Sequence, residues 1–322
     1  PSLVGSEMCI RDRQVISNYP GSEEAKIALQ DLKSVYIDLN DINAYASYVN
    51  SIGGNIRLEV GEQDSLTYIA AEKLFMRGDN DGARRSLAGY LQTFPEGAFS
   101  SNANFYLGSI AFAKKEFDEA IQRFKLVIAS GDTKFLEESV ARTAEIEYLS
   151  KDYPAALESF KRLLIVAENP ENRQAARLGI MRCALQTGQQ KDALLAADEL
   201  LKEPKLSPEL EAEARYVRAK AYIAQKQANK ALADLKELSK DTRTVHGAEA
   251  KYLLAQLYYD TNDDKNAEKV LMNFIENGTP HQYWLARGFI LLADIYIRQG
   301  DDFQARQYLT SPVSYTHLRA HE

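Results

Sequence analysis

Two stretches of the sequence decide the fold: Phe117-Asp118-Glu119-Ala120-Ile121-Gln122-Arg123-Phe124 and Tyr153-Pro154-Ala155-Ala156-Leu157-Glu158-Ser159-Phe160. In each stretch an alanine follows a polar turn, and large apolar residues stand four and seven positions after that alanine. Apolar residues at this spacing lie on one face of a helix. Each stretch therefore predicts the beginning of an amphipathic helix whose first buried residue is small.

The same alanine recurs along the chain at intervals of 36 to 38 residues, as Ala83, Ala120, Ala156, Ala193, Ala231, Ala267 and Ala305. Ala44, 39 residues before Ala83, begins the series less regularly. Twelve residues before each regular alanine stands another small residue or a methionine: Ala71, Gly108, Ala144, Met181, Ala219, Ala255 and Ala293. Where two antiparallel helices cross closely, a larger side chain would force them apart. The pattern predicts repeated helical hairpins in which these two positions meet.

The spacing of small and aromatic residues is similar to that of the tetratricopeptide repeat family over roughly residues 18–310. Tyr222, Tyr258 and Tyr296 stand three positions after the small residue of the first helix in three repeats, as the resemblance implies. Each unit is two to five residues longer than the 34-residue consensus, and the consensus tryptophan early in the first helix is missing. The resemblance implies an all-α, right-handed solenoid of about eight helical hairpins. The repeats are expected at roughly 18–56, 62–95, 98–131, 134–169, 171–204, 207–240, 245–278 and, truncated, 281–310.

The two ends of the sequence differ from the rest. Residues 1–13 and 311–322 lack the helical period, and both resemble translated adapter read-through at the ends of assembled reading frames. We therefore expect both segments to be non-native and place them outside the solenoid. The natural protein is then expected to continue in both directions.

A second resemblance concerns location. The junctions at Tyr19-Pro20-Gly21 and Thr93-Phe94-Pro95 resemble those of bacterial envelope repeat proteins of the Tol-Pal coordinator and outer-membrane assembly lipoprotein type. This resemblance implies a periplasmic or outer-membrane-associated protein, with a cytoplasmic location as the alternative.

Composition excludes several kinds of partner. The formal net charge is −7, so no global positive field attracts nucleic acid. No apolar stretch is long enough to predict a direct membrane span in this fragment. The two cysteines, Cys9 and Cys183, indicate no disulfide framework, and the apolar surroundings of Cys183 predict a buried, inert thiol.

Residues that could carry chemistry are sparse. His246 and His281 each stand at the beginning of a predicted helix without a second histidine or a cysteine nearby, so we expect capping or solvent exposure. Asp79-Asn80-Asp81-Gly82 and Asn262-Asp263-Asp264 resemble the opening of a calcium loop but lack its closing glutamate, which predicts turns. Common hydrolase and nucleotide-binding motifs do not occur. The sequence predicts a non-enzyme without cofactor or metal, and a small-molecule ligand is not expected.

The face of each hairpin's first helix is the candidate binding site. The resemblance to the family implies that this face lines a concave groove. Its aromatic residues are Tyr68, Phe75, Phe105, Phe112, Tyr148, Tyr216, Tyr252 and Tyr259. Polar residues at the neighbouring groove position are Glu72, Ser109, Glu145, Arg182, Lys220, Gln256 and Asp294. An aromatic ladder suits an extended peptide or a partner helix. The alternative, that the rings pack against the next repeat and belong to the core, stays open at this point.

The predicted function is a non-catalytic scaffold that binds a protein or peptide partner in this groove, in bacterial envelope assembly. The alternative is a repeat arm of a larger enzyme or sensor whose catalytic domain lies outside this fragment.

Overall fold

The chain is helical throughout the part that can be described. A computed structural model describes residues 3–52, 57–131 and 134–310, and these residues form seventeen α-helices and no strand. The predicted all-α class built from repeated helical hairpins is confirmed. The chain divides into two compact units, Pro1–Ile146 and Glu147–Glu322.

The first unit begins with a single helix that precedes the hairpins. Its helices are α1 (Leu3–Asn18), α2 (Glu23–Leu39), α3 (Ile42–Ile52), α4 (Val60–Met76), α5 (Asn80–Thr93), α6 (Ser100–Ala113) and α7 (Phe117–Ala129). Helix α1 includes most of the segment 1–13 that the sequence places outside the solenoid, and its Ile16 lies in one apolar cluster with Leu32 of α2. The non-native origin of 1–13 stays a prediction, and the segment 311–322 lies outside the described residues.

The second unit continues the series of hairpins. Helix α8 (Leu136–Leu149) begins in the first unit and ends in the second. The helices that follow are α9 (Tyr153–Val166), α10 (Pro170–Gln186), α11 (Gln190–Leu200), α12 (Pro208–Ala224), α13 (Ala228–Leu238), α14 (Val245–Asp260), α15 (Asp264–Asn277), α16 (Gln282–Gln299) and α17 (Asp302–Leu309). Helices with even numbers are the first members of the hairpins, here called helices A, and those from α3 with odd numbers are helices B.

Each hairpin turns through one residue in the left-handed backbone region. These residues have φ between 54° and 82° and are Asn40, Gly78, Lys115, Lys151, Gly188, Lys226, Asn262 and Gly300. The next residue donates its backbone N–H to a carbonyl of the last turn of helix A, as from Asp79 to Leu74 at 3.0 Å. This is the Schellman arrangement, which closes a helix and reverses the chain. The turn is kept in all eight hairpins even where lysine replaces glycine.

The repeated alanine has a fixed place in helix B. In the seven regular repeats it is the fourth residue after the N-cap, as Ala83 is after Asp79 and Ala156 is after Asp152. Six of the seven alanines have no exposed surface, and Ala305 is only 3% exposed. The small residue of helix A is equally enclosed: a Cβ added to Gly108 would lie 2.9 Å from the Phe124 ring of helix B. Close crossing is therefore why these positions stay small.

The first hairpin departs from the predicted series. The side chain of Asp41 accepts a hydrogen bond from the Ala44 backbone N–H, so Asp41 caps α3 and the fourth residue after it is Tyr45. Tyr45 is 3% exposed, its ring centroid lies 5.7 Å from that of Tyr36, and Ala44 is only half-buried. The prediction for Ala44 is wrong by one residue, because in this hairpin a phenol ring occupies the crossing that an alanine occupies elsewhere.

Candidate functional site

All eight predicted aromatic side chains are buried or half-buried. In the first unit, Tyr68 of α4 is 2% exposed and stacks on Phe99, with ring centroids 4.4 Å apart. Its hydroxyl donates to Glu72 Oε1 at 2.7 Å, and the Tyr106 hydroxyl donates to the same oxygen at 2.9 Å. Burial, and then this bond to Glu72, raise the pKa of Tyr68. Tyr68 and Glu72 thus connect α4 to α6 by ring packing and hydrogen bonds.

The other predicted rings of the first unit also contact the following hairpin. Phe75 lies 4.6 Å from Tyr106 between centroids, and Phe105 stacks on Phe135 at 4.1 Å. The Arg142 guanidinium of α8 lies 4.9 Å from the centroid of the Phe112 ring. These rings therefore pack between successive helices A.

The predicted polar residues of the first unit are engaged locally. The Ser109 hydroxyl donates to the Phe105 carbonyl at 2.9 Å, within its own helix. Glu145 accepts from Arg142 Nη1 at 2.9 Å. Of these three predicted polar residues, Glu72 is the one whose hydrogen bonds within the described part of the unit join two helices A.

In the second unit, cationic side chains cover two of the predicted rings. Arg287 of α16 donates from Nη2 to the Tyr252 hydroxyl at 2.7 Å, and that hydroxyl donates to Gln256 Oε1 at 2.8 Å. Arg298 covers the ring of Tyr259, with its guanidinium carbon 3.6 Å from the ring centroid. Such cation–π contacts add to the packing of each ring.

The last predicted polar residue, Asp294, is exposed on α16. It lies on the helix that also carries Arg287 and Arg298. Although the residue is exposed, neighbouring atoms keep part of the water from its carboxyl, and this desolvation raises the pKa of Asp294.

The predicted residues Tyr148, Arg182 and Tyr216 come together around one cavity of about 300 Å³. The cavity lies among α8, α10, α12 and α14, and its other lining residues are Leu185, Gln186, Glu213, Val217 and His246. We call this the A-helix pocket. It brings together side chains that are almost a hundred residues apart in the sequence, since Tyr148 and His246 line the same cavity.

Ion pairs hold the polar wall of the A-helix pocket. Arg182 donates from Nε and Nη2 to the two carboxylate oxygens of Glu213 at 2.6 and 2.8 Å. This two-point bond raises the pKa of Arg182 and fixes the plane of its guanidinium. Beside it, Glu249 is 7% exposed and accepts from the Tyr216 hydroxyl and from Lys220 Nζ, both at 2.8 Å. The wall is therefore close to neutral and rigid.

His246 was missed as a pocket residue. It stacks on Tyr216 with centroids 4.2 Å apart and planes 17° apart, while Thr244 caps α14. The expectation of capping or solvent exposure is wrong for His246, because the ring turns back onto the preceding hairpin. His281 does stand at the N-cap of α16, without a capping bond, and its Nε2 lies 3.0 Å from the Arg243 carbonyl.

The aromatic partners of four predicted rings share a sequence signal. Each lies 30 to 32 residues after its ring, at or near the beginning of the next helix A, as Phe99 follows Tyr68 and Trp284 follows Tyr252. Phe135 and His246 follow Phe105 and Tyr216 in the same way. A search for paired aromatic residues at this offset could have found them.

The structure also locates the acidic stretches and the cysteine that the sequence singled out. Asp79 and Asp263 cap α5 and α15. The prediction that the acidic stretches are turns is only partly right, because residues 80–82 and Asp264 already belong to the first turns of these helices and the chain reverses at Gly78 and Asn262. Cys183 is fully buried, and burial raises the pKa of its thiol to about 11. Within residues 3–52, 57–131 and 134–310, no group of three or more His, Cys, Asp or Glu side chains could hold a metal ion. No helix among the described residues is long and apolar enough to cross a membrane.

Comparison with known proteins agrees with the repeats. Residues 70–133 match the model of the tetratricopeptide repeat family. No curated protein is significantly similar to the chain in sequence.

Solved structures that resemble the chain do so at low identity. A tetratricopeptide repeat protein from Parabacteroides merdae is 16% identical, with 76% of this chain and 90% of that chain covered and a TM-score of 0.40. The TPR2AB-domain:pHSP90 complex of yeast Sti1 is 16% identical, with 77% of this chain and 89% of that chain covered and a TM-score of 0.39. A signal transduction ATPase with numerous domains and a tetratricopeptide repeat sensor, from Pyrococcus horikoshii, is 16% identical, with 96% and 52% covered and a TM-score of 0.47.

Proposed function

We propose that the chain is a non-catalytic scaffold that binds a peptide or a helix of a partner protein across its helices A. The observation that carries this proposal is the A-helix pocket, where Tyr148, Arg182 and Tyr216 converge from different hairpins. The tetratricopeptide repeat match at residues 70–133 supports a role in protein–protein interaction. A face built from several hairpins suits an extended ligand, because each hairpin contributes one contact along its length.

The size of the pocket favours one side chain of a partner over a bulky cofactor. Its volume of about 300 Å³ is at the lower end of the range for small-molecule sites. Leu185, Val217 and the Tyr216 ring give it an apolar lining. We therefore propose that a large apolar or aromatic side chain of the partner is the anchor, since buried anchors of this kind dominate binding energy.

The polar rim supports binding of the backbone on either side of that anchor. Arg182 uses Nε and Nη2 for Glu213, so its Nη1 group can donate to a peptide carbonyl. Gln186, which is exposed at the rim, can both donate to and accept from a peptide amide. Because the Arg182–Glu213 pair is already formed, the rim loses little side-chain freedom when a ligand binds.

Selection from a displayed peptide library against the full chain tests the proposal. We expect peptides that share one large apolar residue, and we expect their binding to fall about tenfold or more when Gln186→Trp narrows the pocket. The matched control is Gln307→Trp, an exposed glutamine of α17 outside the pocket, which should bind as the parent does. Selected peptides that bind the parent and the Gln186→Trp chain equally would place the site elsewhere.

The bacterial envelope is the proposed place of action, and the resemblance at Tyr19-Pro20 and Phe94-Pro95 is its support. Capture from envelope and cytoplasmic extracts of a bacterium, each with the parent and the Gln186→Trp chain, tests this location. A pocket-dependent partner found only in the cytoplasmic extract would contradict it. The alternative role, as the arm of a larger enzyme or sensor, stays a prediction that the full reading frame tests.

A further inference from the structure

We propose that the second unit carries a binding site for a phosphate-class oxyanion between hairpins α12–α13 and α14–α15. The site is a cavity of about 520 Å³ that shares no lining residue with the A-helix pocket. Its lining includes three cationic side chains, Lys240, Arg243 and Lys251, and one carboxylate, Asp241. The excess of two positive charges matches the charge of a phosphate at neutral pH.

Hydrogen bonds hold the walls of this cavity in place. The loop between α13 and α14 is joined to the loop between α15 and α16 by two hydrogen bonds at Thr242. The Thr242 hydroxyl donates to the Gly278 carbonyl at 3.2 Å, and the Thr279 hydroxyl donates to the Thr242 carbonyl at 2.6 Å. These bonds fix the backbone that carries Lys240 and Arg243, so only the side chains of these two residues have to reorient to receive an anion.

Lys251 forms the back wall and is the distinctive residue of the site. Lys251 is half-buried on α14, and its ammonium donates to Asn273 Oδ1 of α15 at 2.7 Å. That neutral oxygen uses one of the three N–H donors of the ammonium. In the described part of the chain, no Asp or Glu oxygen lies within 4.0 Å of Lys251 Nζ. Burial lowers the pKa of Lys251, as expected for a cation without a counter-charge.

The other two cations are paired, but their pairs lie in water. Lys240 contacts Glu237 Oε2 at 2.5 Å, and Arg243 contacts Asp241 Oδ1 at 2.7 Å. The side chains of Lys240 and Arg243 are 68% and 86% exposed, so these pairs stabilise the fold little. Both cations can turn toward an anion that also contacts Lys251.

A competing role for these cations is to offset the negative ends of α13 and α15, whose last residues, Leu238 and Asn277, lie close to the cavity. That role needs no ligand. It predicts that removing Lys251 lowers stability whether or not phosphate is present. The oxyanion site predicts instead that phosphate stabilises the parent and that this gain depends on Lys251.

Titration of the full chain with inorganic phosphate, followed by calorimetry and by thermal unfolding, separates these roles. We expect saturable binding that weakens as sodium chloride is added, and a loss of about tenfold or more in affinity in Lys251→Gln. Lys265→Gln is the matched control, because it removes the same charge from an exposed position in the first turn of α15 and should leave affinity unchanged. Arg243→Gln, at an exposed side chain, provides a second test if Lys251→Gln unfolds.

A short phosphoserine peptide and its unphosphorylated form distinguish the source of the anion. Tighter binding of the phosphopeptide than of free phosphate would identify a phosphoryl group carried by a protein. Equal binding would identify the free anion. Absence of saturable phosphate binding, or equal affinity in the parent and in both Lys251→Gln and Arg243→Gln, would overturn the proposal.

Discussion

The rings of Tyr216 and His246 lie nearly parallel, with centroids 4.2 Å apart, although thirty residues and a complete helix B separate them in the sequence. Tyr68 with Phe99 and Phe105 with Phe135 repeat this arrangement in the first unit. At these three junctions the stack joins a helix A to the beginning of the next, and in the second unit the same two rings also line the A-helix pocket. One pair of side chains thus contributes both to packing between repeats and to the candidate site.

If the stack couples neighbouring hairpins, Tyr216→Ala and His246→Ala should not be additive. We expect a coupling energy of about 0.5 to 1.5 kcal/mol, the usual range for an aromatic pair beyond its buried area. Urea unfolding of the parent, both single variants and the double variant measures it. His281→Ala, combined with Tyr216→Ala, is the control, because His281 contacts the Arg243 carbonyl and should add independently. If the effects of the two single substitutions simply add up in the double variant, the rings do not stabilise each other.

The buried carboxylate Asp234 should be the most sensitive charge in the second unit. It is 1% exposed and accepts from Arg218 Nε and Nη2 at 2.7 Å and from Arg215 Nη1 at 3.1 Å. Asp234→Asn removes the buried charge that joins the two half-buried guanidinium groups, although Arg215 keeps Glu211 and Arg218 keeps Asp198 as a partner. We therefore expect a loss of about 1 to 3 kcal/mol in the free energy of unfolding. The comparison is Asp241→Asn, whose partner Arg243 is exposed, and which should change stability little. Equal effects of the two changes would contradict this account.

Close helix crossing predicts opposite outcomes for two glycines. A Cβ added to Gly179 would lie 2.4 Å from the Phe160 ring, whereas one added to Gly89 would have no heavy atom within 4 Å. We expect Gly179→Ala to lower stability by about 1 to 3 kcal/mol through overpacking. Gly89→Ala, inside α5, should raise stability by about 1 kcal/mol through helix propensity. Chemical denaturation of both variants checks the signs, and partial recovery in Gly179→Ala with Phe160→Leu would identify the ring as the obstacle.

Most of the repeat could be predicted because it depends on local spacing. The crossing of two helices in one hairpin requires small residues at two fixed positions, and the sequence shows them directly at Ala156 and Ala144. The error at Ala44 has a physical reason, since the buried ring of Tyr45 packs on Tyr36 at the position where the other hairpins have an alanine. Lysine in three of the left-handed turns shows that the Schellman bonds hold the turn without glycine.

The candidate site was harder to predict because one stripe of helix A serves two purposes. Tyr148 and Tyr216 line the A-helix pocket, whereas Phe105 of the same stripe stacks on Phe135. Helical spacing alone cannot separate these cases, because the next hairpin decides which rings it covers. His246 was missed for the same reason, because it reaches Tyr216 and the pocket from the next hairpin.

Alkaline pH should destabilise the fold through Cys183. The thiol is fully buried, and its pKa rises from 9.0 to about 11 because burial disfavours the thiolate. The unfolded chain therefore loses this proton at lower pH than the folded chain does. The stabilisation that the buried thiol provides is complete below about pH 9. It is lost as pH rises toward about 11, which lowers the free energy of unfolding by roughly 2 to 3 kcal/mol in total.

Urea unfolding of the parent and of Cys183→Ala across this pH range measures the contribution. Buried tyrosines act in the same direction, since burial raises the pKa of Tyr106 to about 12, but they are common to both chains and cancel in the comparison. We expect the parent to lose more stability than Cys183→Ala as pH rises, whatever the difference between them at neutral pH. Parallel pH profiles would mean that the thiol reaches water in the folded chain, and the native thiol should then react with iodoacetamide as fast as it does in urea.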